Sequence, residues 1–327
     1  MVRMDVCLAA LFAGLACLLV SAAAQAASCD RACLKGFVDD YLEALVAHDP
    51  GRLPLADDVK FTENGVELEL GDAVWGTAES LGRYRNYFMD VEEGQVAFFG
   101  TIHEYRAPAI LVLRLKVENG EKISEIETMV VRDVQGANTL DARTPAGLWT
   151  ETIPQEERMS RAGLVRIANM YFSGLENNDG KGVYPFTDDC NRMENGTYTT
   201  NNDSARPPGV GGGAAPAERQ PLSIGNIMAM GCKEQFETGY FRFDTRIRDR
   251  RFKVVDPERG VVFAFVFFDH NGTVRDYELA DGSIAHSRVG VSSWMIGEAF
   301  KIENGLIRYV EANMFAPPYG MKPGWDD

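Results

Sequence analysis

One acidic side chain lies among large apolar neighbours in the last third of the chain. Trp294, Ile296, Glu298 and Phe300 alternate along one expected strand, so they share one face. A carboxyl group in such surroundings loses hydration, which raises its pKa and suits it to proton transfer near neutral pH. We therefore take Glu298 as a candidate catalytic residue and Trp294 as a candidate substrate contact. An outward carboxylate, or one paired with an arginine, is the alternative.

Two of the four histidines lie where they could act as an acid or a base. His270 ends a long apolar strand, and His286 precedes the Trp294 strand. Each is equally typical of a hydrogen-bonded core or surface histidine. The four histidines show neither His-x-His nor His-Glu-x-x-His spacing, so we expect no metal site.

Further polar and aromatic residues are candidate substrate contacts. Asn195 follows an acid before an expected strand, although Glu-Asn-Gly is first of all a turn sequence. Arg250 lies in a run of arginines interleaved with aspartates, which favours pairing between a helix and a sheet but leaves an arginine to hold an anionic substrate. Tyr309 and Tyr319 belong to an aromatic-rich tail, where packing in the core is the simpler interpretation.

Composition narrows the class of partner. The chain has 327 residues, of which 45% are hydrophobic, a balance typical of globular proteins. This length predicts two domains. Lys and Arg number 33 against 48 Asp and Glu, giving a formal net charge of -15. Because that charge repels polyanions and anionic lipid, we expect no nucleic acid and no membrane as partner.

The first 26 residues have the pattern of a secretory signal peptide. Arg3 precedes an apolar run from Cys7 to Val20, and Ala24-Gln25-Ala26 is a small-x-small cleavage signal. We expect a mature chain that begins at Ala27. The protein would then be exported, to the periplasm of a bacterium or to the outside of a fungal cell.

Four cysteines follow this segment, an even number that favours disulfides in an exported chain. Of three formal pairings we favour Cys29 with Cys33, one helical turn apart, and Cys190 with Cys232. A four-cysteine zinc site is the alternative, but only the first pair has a spacing that suits zinc.

The sequence repeats itself in four landmarks that recur in the same order. These are Tyr41–Asp49 with Tyr171–Asp179, Glu63–Gly65 with Glu194–Gly196, Lys116–Gly120 with Lys301–Gly305, and Glu127 with Glu311. The repeat predicts a first domain at 27–140, a linker at 141–157, and a second domain at 158–327 with a Gly/Pro-rich insertion at 197–217. Glu298 then corresponds to Leu113. The first half offers Asn64, His103 and Tyr105 as pocket candidates, with His103 resembling His270 in position.

Each repeat has the same pattern of secondary structure. Helical periodicity predicts an opening helix around Leu34–Leu45 and again around Leu164–Leu175. Mostly strands follow. Asn-Gly at 119–120 and at 304–305 suits tight hairpins, because both positions of such a turn require a positive φ. The fold class is therefore α+β, with two tandem units that each close on an antiparallel hairpin.

This duplicated pattern resembles two tandem NTF2-like (SnoaL-like) domains. The resemblance covers nearly all of the mature chain and implies two cones, each a curved antiparallel sheet wrapped around helices with a pocket at the open end. A narrower resemblance, to a largely uncharacterised group of exported fungal and bacterial proteins, rests on Ile247–Arg251, Phe267–His270 and Pro318–Met321. Enzymes of the NTF2-like fold include dehydratases, isomerases and aryl-propane lyases, whereas other members only bind ligands.

The sequence and this resemblance together predict an exported, cofactor-independent lyase. It would cleave an ether or C–C bond, or eliminate a group, in a small aromatic molecule such as a lignin-derived phenolic dimer. The alternatives are a protein that only binds a small hydrophobic ligand, and a dehydratase or isomerase of the same fold. For assembly, we expect either a monomer whose halves mimic a dimer or a homodimer.

Overall fold

The computed structural model describes residues 29–205 and 222–325. Over these residues the chain is mixed α+β, with two six-stranded sheets and few helices. The expected signal peptide at 1–26 lies outside the described residues, as does the part of the insertion from 206 to 217.

The first half contains three α-helices and six strands. They are α1 (Arg31–Val46), β1 (Leu55–Glu63), β2 (Val66–Glu67), α2 (Val74–Thr77), β3 (Ala78–Asp90), β4 (Gln95–Glu104), β5 (Ala107–Glu118), β6 (Lys122–Val131) and α3 (Val134–Asp141).

The described part of the second half repeats this plan with additions. Its elements are α4 (Arg161–Glu176), β7 (Phe186–Glu194), β8 (Thr197–Tyr198), α5 (Ile224–Met228), α6 (Cys232–Glu237), β9 (Arg246–Asp256), β10 (Val261–Asn271), β11 (Asp276–Glu278), β12 (Ile284–His286), β13 (Val291–Glu303) and β14 (Leu306–Phe315). Short 3-10 turns cover Pro50–Arg52, Gly147–Thr150, Gln155–Glu157 and Asp203–Ala205.

The two large sheets have the same strand order. The first runs β2-β1-β6-β5-β4-β3 and the second β8-β7-β14-β13-β10-β9. In both, the last strand pairs in parallel with the first long one (β6 with β1, β14 with β7), and the other pairs are antiparallel. The additional β11–β12 hairpin is a sheet of its own. This shared order agrees with the repeat in the sequence.

Each half begins with a capped 16-residue helix. The side chains of Asp30 and Ser160 accept hydrogen bonds from backbone N–H groups in the first turns of α1 and α4, where a helix otherwise leaves such donors unpaired. Both predicted helices are thus confirmed. α4 buries an apolar stripe against the second sheet; its members are Leu164, Ile167, Ala168, Tyr171, Phe172 and Leu175.

The predicted Asn-Gly hairpins are also confirmed. Asn119 and Gly120 have φ values of 52° and 71°, and Asn304 and Gly305 have 50° and 80°. Both residues of each turn therefore lie in the left-handed region that matches the twist of the flanking strands. These turns fix the registers of β5 with β6 and of β13 with β14.

The second sheet is buried on both faces. Along β10, Val262, Ala264 and Val266 pack beneath α4, whereas Phe263 and Phe265 pack towards the first sheet. This double burial explains the nearly continuous apolar run of β10, since no face of the strand meets water.

The two sheets pack against each other around a local two-fold relationship. A side chain on Gly297 would meet Val112, its counterpart in the repeat, at 2.8 Å, so glycine permits this close approach. Arg31 at the start of α1 binds Asp256 of the second half at 2.6 Å, and Arg161 at the start of α4 binds Asp90 of the first half, also at 2.6 Å. The halves therefore exchange equivalent ion pairs across one interface.

Both predicted disulfides are present. Cys29 is bonded to Cys33 and Cys190 to Cys232. Such bonds are typical of exported proteins. Over residues 29–205 and 222–325, no helix is long and apolar enough to cross a lipid bilayer.

Candidate active site in the second half

A cavity of about 110 Å³ lies between α4 and the helix-facing side of the second sheet. Aromatic and aliphatic side chains form most of its wall, and four ionisable groups apart from tyrosine join them. The lining residues are Tyr171, Leu175, Arg192, Glu194, Ile224, Phe241, Phe243, Asp244, Phe268, Trp294, Ile296, Glu298 and Met314. An apolar cavity of roughly 150 Å³ holds benzene. At about 110 Å³ this space is smaller than that cavity, so it holds at most one six-membered ring.

Glu298 is the most strongly perturbed carboxyl group of the cavity. Its side chain is only 2% exposed, and its Oε2 has no hydrogen-bond partner among the described residues. Burial raises its pKa to about 8, although Arg192 and the Tyr171 hydroxyl act in the opposite direction. The burial and raised pKa predicted for Glu298 are therefore found, and the group is mostly protonated at pH 7.

Arg192 brings a buried positive charge to the same cavity. It donates to the side chains of Gln235 at 2.9 Å and Glu194 at 2.5 Å, and its guanidinium carbon lies 5.6 Å from the centre of the Tyr171 ring. Its Nε has no partner within the described part of the chain. A fixed cation with a spare donor can stabilise negative charge that develops on a bound molecule.

Asp244 and His270 form a buried pair beside Glu298. His270 Nε2 lies 2.8 Å from Asp244 Oδ1, and His270 Nδ1 lies 3.3 Å from the Ser292 hydroxyl. The imidazole packs against the Trp294 ring, with 4.5 Å between ring centres. Burial raises the pKa of Asp244 above its usual range, while the hydrogen bond from His270 opposes that rise. Asp244 faces the cavity directly, and His270 lies behind it.

The first half has no polar counterparts of Arg192 and Glu298 at the equivalent positions. Arg192 pairs with Val310 just before Glu311, as Phe61 pairs with Ile126 just before Glu127. Arg192 therefore corresponds to Phe61. Glu298 corresponds to Leu113, as the repeat predicted, because each pairs with the fourth residue of the neighbouring strand, β10 or β4. Phe61 and Leu113 are buried in the apolar core of the first half. An apolar core in one repeat thus corresponds to a polar cavity in the other.

His286 and Arg250 lie elsewhere. The His286 side chain is 58% exposed on the β11–β12 hairpin and bonds to Asp276 at 2.6 Å. Arg250 reaches α4, where it donates to Asn169, Ser173 and Glu176. Neither lines the cavity. Arg250 therefore makes the helix-to-sheet pairing that the interleaved charges favoured.

Three other substrate-contact candidates also have different surroundings. The Asn195 amide exchanges two hydrogen bonds with the backbone of Met314, which anchors the turn beside β14. Tyr309 packs on Trp149 between the two sheets, with 5.5 Å between ring centres, and Tyr319 is 47% exposed. Of the five predicted contacts, the structure brings only Trp294 to Glu298.

The first-half candidates do not form a comparable site. Asn64 binds the Val130 backbone, as its counterpart Asn195 binds Met314. Tyr105 is 74% exposed, and His103 lies 3.4 Å from the Ser80 hydroxyl. The positional match of His103 with His270 is wrong by one residue. His103 is ninth in β4 and corresponds to Asp269, ninth in β10, because both hairpins begin at equivalent positions.

The sequence analysis missed most of the apolar wall of the cavity and four of its residues with polar groups: Tyr171, Arg192, Glu194 and Asp244. Two of them, Tyr171 and Glu194, belong to the repeated landmarks. Arg192 would have emerged from aligning the repeats residue by residue, since it replaces Phe61. Asp244 carries no such signal, because it lies in the second half's irregular segment before β9.

The chain belongs to the family described as "Domain of unknown function (DUF8021)". Residues 27–130 and 157–314 match this family, one segment in each half. No curated protein matches the chain.

Solved structures match about a third of the chain. A de novo designed protein with a curved β-sheet is 18% identical over 34% of this chain and 98% of its own, with a TM-score of 0.27. A protein from Sphaerobacter thermophilus is 17% identical over 30% of this chain and 94% of its own, with a TM-score of 0.25. A candidate ketosteroid isomerase from Kribbella flavida DSM 17836 is 12% identical over 38% of this chain and 93% of its own, also with a TM-score of 0.25. At these identities and scores the matches carry no argument about activity.

Proposed function

We propose that both halves are NTF2-like cones and that the second is an exported, cofactor-independent enzyme. It catalyses an elimination or bond cleavage by proton transfer on a small aromatic molecule. The observation that carries this proposal is the buried Glu298, with one unbonded oxygen in the wall of a ring-sized cavity. A carboxyl group placed there costs stability, and functional sites are where such costs are commonly found.

The two carboxyl groups of the cavity divide the work of acid and base. Glu298, with a pKa raised to about 8, is the proton donor. Burial raises the pKa of Asp244 as well, but the hydrogen bond from His270 opposes that rise, so we assign Asp244 as the proton acceptor. Both carboxyl groups are buried, and the difference between them is that Asp244 has a histidine partner whereas Glu298 Oε2 has no hydrogen-bond partner among the described residues.

The reaction then balances without any added group. Asp244 removes a proton from a carbon, the electron pair of that C–H bond forms a double bond, and the bond to a leaving oxygen on the next carbon breaks. Glu298 protonates this oxygen, and Arg192 stabilises its negative charge as the bond lengthens. A later proton exchange with water restores both carboxyl groups. Trp294, Phe243 and Tyr171 supply flat walls for the ring.

Cavity size refines the substrate. A cavity of about 110 Å³ holds at most one six-membered ring, so a phenolic dimer would leave its other ring outside. Ile224, which lines the cavity and is 58% exposed, lies where that outer ring would emerge.

The test is turnover by the mature protein of a panel of one-ring and two-ring aromatic ethers and alcohols, read by mass spectrometry. A metal chelator is present throughout. We expect product from the wild type and from Glu311→Gln, whose carboxyl group is buried but lies between the sheets, and at least a 100-fold loss in Glu298→Gln. If the compounds bind at the cavity but are released unchanged, the proposal is wrong and the protein only binds a ligand.

A further inference from the structure

A second cavity, of about 470 Å³, lies between the two halves and shares no lining residue with the Glu298 cavity. Its wall comes from α1, from β3, from the segment 144–150 and from the turn between β9 and β10. Pockets for small organic ligands commonly have volumes of about 300–1,000 Å³. The space is therefore large enough for a bound molecule.

The charge of this second cavity is opposite to that of the protein. Four cationic residues, Arg31, Lys35, Arg85 and Arg259, and no carboxylate are found among the described residues that line it. The whole chain carries a net charge of -15. A cationic pocket on an anionic protein concentrates an anion locally, since field lines focus in a cleft lined by one sign of charge.

Two of these four cations already have partners. Arg31 binds Asp256 at 2.6 Å and Glu258 at 2.5 Å, and Lys35 binds Asp39 at 2.5 Å. Because carboxylates compensate the charges of Arg31 and Lys35, these two side chains form part of the wall but attract an anion less strongly.

The other two cations have no carboxylate partner in the described part of the chain. Arg259 is half-buried, and its Nε lies buried without a hydrogen-bond partner. Burial and the nearby charge of Arg31 lower the pKa of Arg259, against the pull of Asp256 and Glu258. Its carbonyl accepts a hydrogen bond from Lys301 at 2.7 Å, which holds the turn in place. Arg85 is exposed at the rim.

We propose that this second cavity binds a small aromatic carboxylate. The carboxylate lies on the guanidinium groups of Arg259 and Arg85, because arginine matches a planar carboxylate with paired hydrogen bonds. The ring lies against Pro145 and the edge of Trp149 in the wall of the same cavity. This site is independent of Glu298 and does not rest on the proposed activity.

Calorimetric titration with benzoate tests the proposal. We expect wild-type binding that weakens at least tenfold in Arg259→Gln and about threefold or more in Arg85→Gln. Arg85 is exposed, so its variant keeps the fold. Arg166→Gln, which removes an exposed arginine of α4 outside the cavity, and Glu298→Gln keep the wild-type affinity.

Inorganic phosphate and cyclohexanol serve as the two probes of the ligand class. If phosphate and cyclohexanol both bind more weakly than benzoate, the result supports an aromatic carboxylate as the ligand class. Phosphate that binds as tightly as benzoate, equal benzoate affinity in Arg259→Gln and wild type, or no benzoate binding at all would overturn the proposal.

Discussion

Glu298 on β13 occupies the place in the second sheet that Leu113 occupies on β5 in the first. The same duplicated framework therefore holds a hydrocarbon side chain in one half and a buried carboxyl group in the other. Arg192, which replaces Phe61, accompanies this change. Replacing two apolar core residues by an arginine and a carboxylic acid costs stability unless the polar groups have a function, which is why the site is assigned to the second half.

Stability should fall as the pH rises, because Glu298 and Glu311 have pKa values raised to about 8 and about 7. The unfolded chain releases these protons at the ordinary value near 4.5, so the folded state binds more protons between about pH 5 and pH 8. The free energy of unfolding should therefore decrease over that range. In Glu298→Gln, the free energy of unfolding should decrease by about 3 kcal/mol less over that range than in the wild type.

Urea unfolding at pH 5, 7 and 9 measures this effect. An exposed variant, Glu67→Gln, is the control and should keep the wild-type slope. If Glu298→Gln has the same dependence on pH as the wild type, Glu298 does not carry a raised pKa.

The interface between the halves should depend on a buried ion pair. Arg251 and Arg114 both donate to Glu127, and all three side chains are fully buried. Arg251→Met leaves Glu127 with one partner and should destabilise the protein by about 3 kcal/mol. Arg83→Met, which breaks an exposed pair with Asp141, should cost less than about 1 kcal/mol.

Chemical denaturation of both variants at pH 7 tests this comparison. Similar losses for the two arginines would mean that the Glu127 pair does not stabilise the contact between the sheets.

The two disulfides should contribute unequally. Cys190–Cys232 closes a segment with a sequence separation of 42, whereas Cys29–Cys33 has a separation of 4. Chain entropy alone gives about 4 kcal/mol for the longer loop and about 2 kcal/mol for the shorter one. The longer disulfide also joins β7 to α6, which carry Arg192 and its partner Gln235, so the double variant Cys190→Ser/Cys232→Ser should lose substrate affinity as well.

Melting temperatures and ligand affinity of both double-serine variants check this expectation. Cys29→Ser/Cys33→Ser is the matched control for the site, since it should lower stability without changing affinity. An equal loss of affinity in both would show that the longer disulfide has no specific effect on the cavity.

The sequence predicts much of the framework because its signals are local. The two opening helices and the Asn-Gly turns follow from periodicity and turn chemistry. Apolar runs predict the strands that the structure has as β4, β5, β6, β10, β13 and β14. The other eight described strands were missed, among them the long strands β1, β3, β7 and β9. In β9, Arg246, Arg248 and Arg250 obscure the apolar pattern, and their side chains bind carboxylates on neighbouring elements.

The candidate site was harder to predict for a physical reason. Glu298 and Trp294 are neighbours on one strand, so alternation along β13 places them together. Arg192 and Asp244 reach the cavity from β7 and from the segment before β9, which requires the tertiary fold. His286 and Tyr319 were chosen for their residue types, and no local signal separates an exposed side chain of those types from one in a cavity.

The most direct test of the central claim is proton exchange at carbon. One-ring aromatic ketones are incubated in D₂O with the mature protein, and deuterium uptake is read by mass spectrometry. The wild type and Glu311→Gln should incorporate deuterium well above the uncatalysed rate, whereas Asp244→Asn and Glu298→Gln should fall at least 100-fold with their folds intact. Uptake that is unchanged in both cavity variants, or absent from the wild type, would contradict an acid–base site at Glu298.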